Sequence, residues 1–379
     1  MSPMNRSDEM TDAPDAPSFH NRGAAAPQRD GMPTRSRGRS SPPPPRVPPA
    51  RSRGVAIVTV LLVVALAATL AASVAWRELV ALHDVSNQRL GVETMWAERA
   101  AVEWARVMLR DQARKSNVAY VGQSWSNPVD DVRISGFLPE DALRVNSDLA
   151  DAYVSGSIED AQSKFNVMDL VSRPAPSAPW QINQNGVEAY RRLLTHVSLD
   201  PALAEQTAKY MLRSLGAAGG TGNGDQGFST GGSGNSWPLQ LVTVADLARI
   251  PGYGAQSVKV LSDFVTLLPD FTNVNVNTAS ETAIIAAIPT LSESQALMLT
   301  QRRSSAYFVS GGDVALVLSP QAGASLPSGA LVDVTSNYFL VHCRIHSAKI
   351  NTRIDTLIAR HGIGNFAWTT VVWAHRIAA

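Results

Sequence analysis

The side chains best suited to chemistry lie in one short run near the C-terminus, which contains His342, Cys343 and His346. Imidazole and thiolate groups bind zinc when three or four of them converge on one ion. On a β-strand, both histidines would lie on one face and the cysteine on the other. Because the three groups would then diverge, the pattern disfavours a metal site. As the single cysteine of the chain, Cys343 also excludes an intramolecular disulfide.

Two formal catalytic motifs fall in the stretch 216–236, which holds nine glycines in twenty-one residues. Residues 222–227 read G-x-G-x-x-G, a dinucleotide-binding pattern, and residues 227–231 read G-x-S-x-G, the pattern around a nucleophilic Ser229. Neither motif follows a predicted strand and opens a helix, which is the context that gives such motifs their chemistry. We interpret both as chance matches in a flexible loop and predict that the chain is not an enzyme.

The charges of this 379-residue chain nearly cancel, with 33 cationic and 32 acidic side chains, which disfavours a protein that coats nucleic acid. The adjacent acids at 130–131 and 159–160 are more typical of turns than of active sites. Residues 1–53 differ from the remainder, since they carry nine arginines, five acids and eleven prolines. We predict a disordered basic leader over residues 1–54. A wrongly assigned start codon is the alternative explanation.

The stretch that follows has the length and composition of a membrane-spanning helix. Residues 55–76 contain no charged side chain, and as a helix they measure about 33 Å, enough to cross a hydrocarbon core of about 30 Å. The preceding arginines place the N-terminus in the cytoplasm and the remainder in the periplasm of a double-membraned bacterium. A buried soluble helix and a secretory signal peptide are the alternatives, and the uncharged length disfavours both.

The helical periodicity continues after this segment to about residue 115. Apolar side chains recur at helical spacings, namely Leu79, Leu82, Val85, Val92, Met95, Trp96, Val102, Val107 and Met108. We predict that this stripe packs on an antiparallel sheet. Its strands are predicted from period-two segments at 152–158, 338–345, 350–359 and 366–373.

A helical block is predicted within the chain between these strands. Two amphipathic helices are indicated over residues 181–215, and two helix-hairpin-helix-like units follow, over 243–258 and 278–297. Each unit opens with Thr-x-x-acid, which predicts a capping box at its first residue, Thr243 or Thr278.

Helix-hairpin-helix units can contact DNA phosphate through the amides of their hairpins. A membrane-anchored periplasmic DNA receptor is therefore the alternative function. Between residues 237 and 303, however, four cations accompany five acids, whereas phosphate contacts require a local excess of cations. We favour a protein-interaction scaffold and expect no nucleic-acid partner.

The junction at Arg53-Gly54 resembles the class III signal of type IV pilins and pseudopilins, in which a glycine directly precedes an uncharged helix. This resemblance implies that a prepilin peptidase cleaves between Gly54 and Val55 and methylates the new N-terminus. Most of these proteins carry glutamate five residues after the cut, where this chain has Thr59. The family that lacks the glutamate is the K-type minor pseudopilin of the type II secretion system (GspK).

Further motifs resemble the same family and occur in its order along the chain. They are Glu103-Trp-Ala-Arg106, Gly156-Ser-Ile-Glu-Asp160 with Lys164-Phe-Asn-Val167, Asn275-Val-Asn-Thr-Ala279 and Ser336-Asn-Tyr-Phe339. The resemblance implies an α+β fold, in which a pilin-like long N-terminal helix packs on an antiparallel sheet and an all-α domain with helix-hairpin-helix-like units is inserted. The predicted segments are a leader 1–54 removed on processing, a transmembrane helix 55–76, a discontinuous pseudopilin domain 77–174 and 331–379, and an inserted helical domain 175–330 containing the loop 216–236.

The resemblance also implies a function in the general secretion pathway, at the tip of the pseudopilus in the bacterial inner membrane. Thr59 carries no charge to neutralise the amine of a subunit above it, so we predict that this subunit caps the fibre and initiates its assembly. Expected partners are the other minor pseudopilins, the major pseudopilin and the prepilin peptidase, with the helix face around Trp96 and Trp104 as the interface. The family associates calcium with an acidic segment that is not found in this chain, so we expect no cofactor. Calcium stays open as the alternative that the resemblance implies, with Asp200, Glu205 and Asp225 as the acids that could meet in space.

Overall fold

A computed structural model describes residues 53–136, 151–218, 238–321 and 323–378 of the chain. Most of the predicted leader 1–54 lies outside the described residues. So does most of the glycine-rich loop 216–236, including both formal catalytic motifs. The chain divides into two compact units after Ala72.

The longest element is helix α1, Arg53–Lys115, which confirms the predicted long N-terminal helix. Its apolar part is long enough to cross a membrane, and the side chains there are exposed. The hydroxyls of Thr59 and Thr69 donate to backbone carbonyls three residues earlier, at 3.0 and 2.8 Å. The polar groups of these two threonines are therefore satisfied within the helix itself, as hydrocarbon surroundings require.

Five antiparallel strands form the main sheet and confirm the predicted sheet type. In spatial order they are β1 Val129–Arg133, β2 Tyr153–Asp160, β3 Tyr338–His346, β4 Asn351–His361 and β5 Trp368–Ala378. β2 and β3 are neighbours, with residue 160 opposite residue 339, although the helical block lies between them in the chain. The sheet is thus completed by the C-terminal part of the chain.

Only part of the predicted stripe packs on the sheet. Val102 and Met108 lie against a cluster in which Ala105 and Leu109 are buried with residues of β3 and β4, whereas Val92, Met95 and Trp96 are exposed. The prediction was wrong for these exposed residues because the helix approaches the sheet through small side chains such as Ala105, which a pattern drawn from large apolar residues overlooks. The large residues therefore form an uncovered surface, which we call the α1 ridge: Val92, Met95, Trp96 and Val107.

The helical block between β2 and β3 contains six helices in the described residues. They are α2 Gln184–His196, α3 Leu203–Ala218, α4 Ala255–Leu261, α5 Glu281–Ala287, α6 Glu293–Ser305 and α7 Gly311–Leu318. Short two-stranded ladders join its loops, pairing Phe165–Asn166 with Val265–Thr266, Val171–Ser172 with Gln181–Ile182, and Val274–Asn275 with Val332–Asp333. One apolar core unites the helices and includes Phe165, Tyr190 and Ile284.

The two predicted capping boxes have different outcomes. At Thr243 the box is present, and Asp246 accepts a hydrogen bond from the Thr243 N–H at 2.9 Å. The box at Thr278 was a wrong prediction, because α5 is capped by Ser280 instead. The Thr278 hydroxyl donates to the buried carboxylate of Asp160 at 2.6 Å, a stronger acceptor that lies far away in the sequence.

Candidate functional site

The predicted processing site lies in the first turn of α1, where Gly54 and Val55 are helical. Thr59 follows one turn later, and its hydroxyl donates to the carbonyl oxygen of Ala56 at 3.0 Å. This hydroxyl already serves its own helix and carries no charge. Thr59 therefore offers no anionic partner to a protonated amine.

Both tryptophans of the predicted interface are exposed on α1, Trp96 by 57% and Trp104 by 53%. Trp96 belongs to the α1 ridge, and the guanidinium of Arg99 lies 5.8 Å from its ring centroid. Trp104 lies about 80° further around the helix, at the rim of a groove between α1 and the sheet. The two rings are therefore close along the helix but border different surfaces.

The motif Glu103-Trp-Ala-Arg106 ties α1 to the last strand of the sheet. Arg106 donates from Nη2 to the carbonyl oxygen of Thr369 at 2.8 Å, and Glu103 holds the guanidinium through a 2.6 Å ion pair. A second tie joins Arg376 to the buried Glu98 at 2.5 Å. β5 is thus fixed against α1 at two places, so the motif acts in packing and leaves Trp104 free.

The groove beside Trp104 has a volume of about 620 Å³ and is apolar. Its lining includes Ala97, Ala101, Trp104, Trp125, Ile158 and Cys343. Burial, with a smaller contribution from Glu98, raises the pKa of the Cys343 thiol to about 11. The thiol is therefore protonated at neutral pH and is a poor nucleophile.

Three of the sequence motifs meet at one buried carboxylate, that of Asp160 at the end of β2. Its Oδ2 atom accepts hydrogen bonds from three side chains, namely Ser336 at 2.6 Å, Thr278 at 2.6 Å and Asn275 at 2.9 Å. Its Oδ1 atom accepts from the backbone N–H of Gln162 at 2.9 Å. Burial raises the pKa of Asp160, and these hydrogen bonds oppose the shift. We call these five residues the buried joint.

Further contacts extend the buried joint to the end of α1. Arg360 on β4 donates from Nη2 to the carbonyl oxygens of Asn117 and Ser336, at 2.9 and 2.6 Å. Tyr120 stacks on Tyr307 with ring centroids 3.8 Å apart. The sheet, the end of α1 and the helical block are therefore held together by specific hydrogen bonds and by one aromatic stack.

Asn166, in the motif that follows the joint, holds a second polar cluster. Its amide nitrogen donates to the Asp270 carbonyl oxygen at 2.8 Å and to the Thr272 hydroxyl at 3.0 Å. Its amide oxygen accepts from the N–H groups of Met168 and Leu268, at 3.1 and 3.0 Å. The conformation of two loops is thus fixed by one side chain, which indicates an architectural role for this motif as well.

The hairpin of the first helix-hairpin-helix-like unit is used for internal packing. Gly252 has a φ of +101°, and a Cβ atom there would lie 2.6 Å from Cδ2 of Leu203. The next residue, Tyr253, is buried, and its hydroxyl lies 2.9 Å from that of Tyr190 and 2.8 Å from that of Thr207. This packing on α2 and α3 favours a scaffold over a phosphate-binding hairpin.

The histidines of β3 lie on the sheet face opposite to α1. The ring of His342 lies between two carboxylates, with Nε2 3.5 Å from Glu159 and Nδ1 2.8 Å from Asp355. These two acids raise the pKa of His342. Among the described residues no group of three His, Cys, Asp or Glu side chains could hold a metal ion.

Comparisons with known proteins agree with one another. Residues 163–270 match the family described as Type II secretion system (T2SS), protein K. The chain is 26% identical over 277 residues to Type II secretion system protein K of Pseudomonas aeruginosa, covering 69% of this chain and 75% of the relative. It is 24% identical over 328 residues to the protein of the same name from Aeromonas hydrophila, covering 82% and 93%. Its fold is similar to a chain in the crystal structure of the GspK-GspI-GspJ complex from the enterotoxigenic Escherichia coli Type 2 Secretion System, with a TM-score of 0.54 and 18% identity, over 77% of this chain and 99% of that chain.

Proposed function

We propose that this chain, which is similar to protein K of type II secretion systems, is a member of that family, caps the tip of the pseudopilus and starts its assembly. The observation that carries the proposal is the α1 ridge, an apolar surface left uncovered on the helix by which pseudopilins assemble. The fibre that it caps would then assist the export of proteins across the outer membrane.

Thr59 supports the position at the tip. After cleavage the amine of a docking subunit enters apolar surroundings, where an unpaired charge costs on the order of several kcal/mol. Thr59 supplies no negative charge, and its hydroxyl is bonded to the Ala56 carbonyl oxygen. A subunit placed above this chain would therefore have an uncompensated amine, which favours the end of the fibre. The helical block adds bulk that would clash inside a helical fibre.

The α1 ridge is the surface through which the chain would bind the other minor pseudopilins and the major pseudopilin. Aromatic side chains dominate the energetics of protein interfaces, and Trp96 is the largest residue of the ridge. The related solved chain belongs to a complex named for three components, GspK, GspI and GspJ. Trp104 lies beside the ridge and enlarges the apolar surface available to a partner.

Maturation and location follow from the start of α1. A prepilin peptidase would cleave between Gly54 and Val55 and methylate the new amine. The uncharged part of α1 would then anchor the chain in the inner membrane as a single span. The arginines before it favour a cytoplasmic N-terminus and a periplasmic location for the remainder.

Co-purification with the other minor pseudopilins tests the proposal. Trp96→Ala in the full chain should weaken the complex by about 30-fold, equivalent to about 2 kcal/mol for a central aromatic contact. Phe271→Ala is the matched control, because Phe271 is 48% exposed but lies on the helical block. Labelling of isolated fibres should place the protein at one end. Regular spacing along the shaft, in amounts comparable to the major subunit, would contradict the proposal.

A further inference from the structure

The two edges of the main sheet differ in a way that indicates a use for one of them. The β1 edge has only five residues, follows Pro128 and is irregular between Val129 and Val132. Asp131 has a φ of +47° within it, an uncommon conformation for a residue other than glycine. Short length, proline and irregular pairing are the features by which proteins prevent strand addition at an edge.

The β5 edge is less protected in the described residues, where its pairing with β4 has one register shift, between Leu357 and Ile358. It runs for eleven residues, Trp368–Ala378, without proline, and only Arg376 carries a full charge. That charge is engaged by Glu98 of α1. Half-exposed apolar side chains follow the strand, namely Trp368, Val371, Val372 and Ile377. A long apolar edge of this kind readily pairs with another chain.

The register of the sheet shows which backbone groups of β5 are available. The N–H of Arg360 on β4 donates to the carbonyl oxygen of Asn337, on the β3 side. Thr369, which lies opposite Arg360, therefore directs its own N–H and C=O away from β4. The bond from Arg106 to the Thr369 carbonyl oxygen agrees with this direction. The direction of the backbone N–H and C=O groups alternates along a strand, and the register of β5 shifts once, between Leu357 and Ile358. The backbone groups of three further residues therefore also point away from β4, namely those of Val371, Ala374 and Arg376.

We propose that β5 receives an extended segment of a different protein as a sixth strand of the sheet. Backbone N–H and C=O groups that recur along a strand edge match another extended backbone, which identifies the chemistry of the partner. Apolar side chains at alternate positions of that segment would cover the half-exposed residues of β5. Within the described part of the chain, Arg106 is the only group that occupies an outward carbonyl of this edge.

All pairs in the main sheet are antiparallel, and a second copy of the chain does not fit this edge in that arrangement. Two identical strands that pair antiparallel are related by a two-fold axis perpendicular to the sheet, which would make the two α1 helices antiparallel. Both helices must enter the same membrane from the same side, a requirement that rests on the proposed function. The partner strand therefore belongs to another protein.

Site-specific photocrosslinking in the full chain, expressed in its own cells, tests the inference. A photoreactive residue is placed in turn at Val371, Trp373 and His375, with Asp130 on the β1 edge as the control position. If β5 pairs with a strand, all three positions should form adducts with the same protein. The cross-linked residue of that partner should move along its sequence in step with the position of the photoreactive residue in β5. The β1 position should give no such adduct. Adducts to a second copy, to other parts of the same chain or without a consistent register would overturn the inference.

A pair of substitutions at one residue completes the test. Ala374→Pro removes an outward N–H without removing a bond to β4, so the adduct yield should fall by about tenfold or more. Ala374→Val keeps the N–H and should keep the adduct. If the proline variant does not fold, Val371→Lys, which adds a charge to the edge, replaces it. An unchanged adduct yield would refute strand pairing. If the adducts are lost while tip localisation and co-purification stay normal, the function proposed for the α1 ridge remains intact.

Discussion

Substitution of Asp160 by alanine tests whether the buried joint holds the sheet and the helical block together. The carboxylate is fully buried and accepts four hydrogen bonds from three separate parts of the chain. No apolar packing replaces these contacts when the carboxylate is removed. The effect should therefore be much larger than for an exposed acid of the same sheet.

The size of the effect follows from the donors that lose their acceptor. The hydroxyl of Ser336 and the N–H of Gln162 would be left unsatisfied, at roughly 1–3 kcal/mol each. The Thr278 hydroxyl would keep only its longer contact with the Asn275 carbonyl oxygen, at 3.4 Å. Asn275 loses less, because its amide also donates to the Ala119 carbonyl oxygen at 2.9 Å. Removing a desolvated carboxylate opposes the loss, for the same reason that burial raises its pKa. We expect a net decrease of about 3 kcal/mol in the free energy of unfolding.

Thermal unfolding of the purified full-length protein in detergent measures this prediction. For a chain of this size, about 3 kcal/mol corresponds to a decrease of about 4–5 °C in Tm. Asp160→Asn keeps the shape and most acceptors and should cost about 1 kcal/mol, while Asp130→Ala on the exposed β1 edge should leave Tm unchanged. An Asp160→Ala protein that melts within about 1 °C of the wild type would refute the reasoning.

Four further substitutions test other parts of the molecule. Gly54→Val should block maturation, because a branched side chain fills the site that accepts glycine; N-terminal sequencing checks this, and normal maturation would contradict it. Gly186→Ala should decrease the free energy of unfolding by about 3 kcal/mol, since its Cβ would lie 2.0 Å from the Asp169 carbonyl oxygen. At Gly216 an added Cβ atom would meet open space, so Gly216→Ala should increase the free energy of unfolding by roughly 0.5–1 kcal/mol. Equal melting temperatures of the Gly186 and Gly216 variants would contradict both predictions. The pKa of His342 is raised in the folded protein, so its stabilising contribution is complete below its ordinary pKa of about 6.5 and is lost as the pH rises through the folded value. His342→Gln should remove this pH dependence from the unfolding free energy, and an unchanged pH profile would exclude the role.

The type and order of the elements were predictable because the periodic segments are long. The uncharged start of α1 and the alternating strands after Tyr338 indicate helix and sheet without knowledge of their partners. The buried face of α1 was not predictable from large apolar residues. Ala105 contributes little to such a pattern, yet it lies in the core, while Trp96 does not. The tertiary approach of two elements decides which face is covered, and local sequence does not encode that approach.

The buried joint could be predicted only in part. Its motifs resemble those of one family, but nothing local indicates that Asp160 meets Ser336 and Thr278, which are far away in the chain. An adjacent pair of acids at 159–160 suggested a turn, because the burial of a carboxylate depends on residues that return later. The hydroxyl at Thr278 was assigned to a helix cap for the same reason.

The pairing of β2 with β3 has a consequence for the order in which the protein folds. Asp160 lies opposite Phe339, so the centre of the sheet cannot form until the whole helical block and the strand after it have been synthesised. Local contacts form faster than distant ones, so the helices should fold first and bring the two strands together. Until then the sheet-facing side of α1 has no cover and is open to wrong partners. In the proposed function, the subunit would become competent for assembly only after β4 and β5 have been synthesised, which makes these two strands a checkpoint for entry into the fibre.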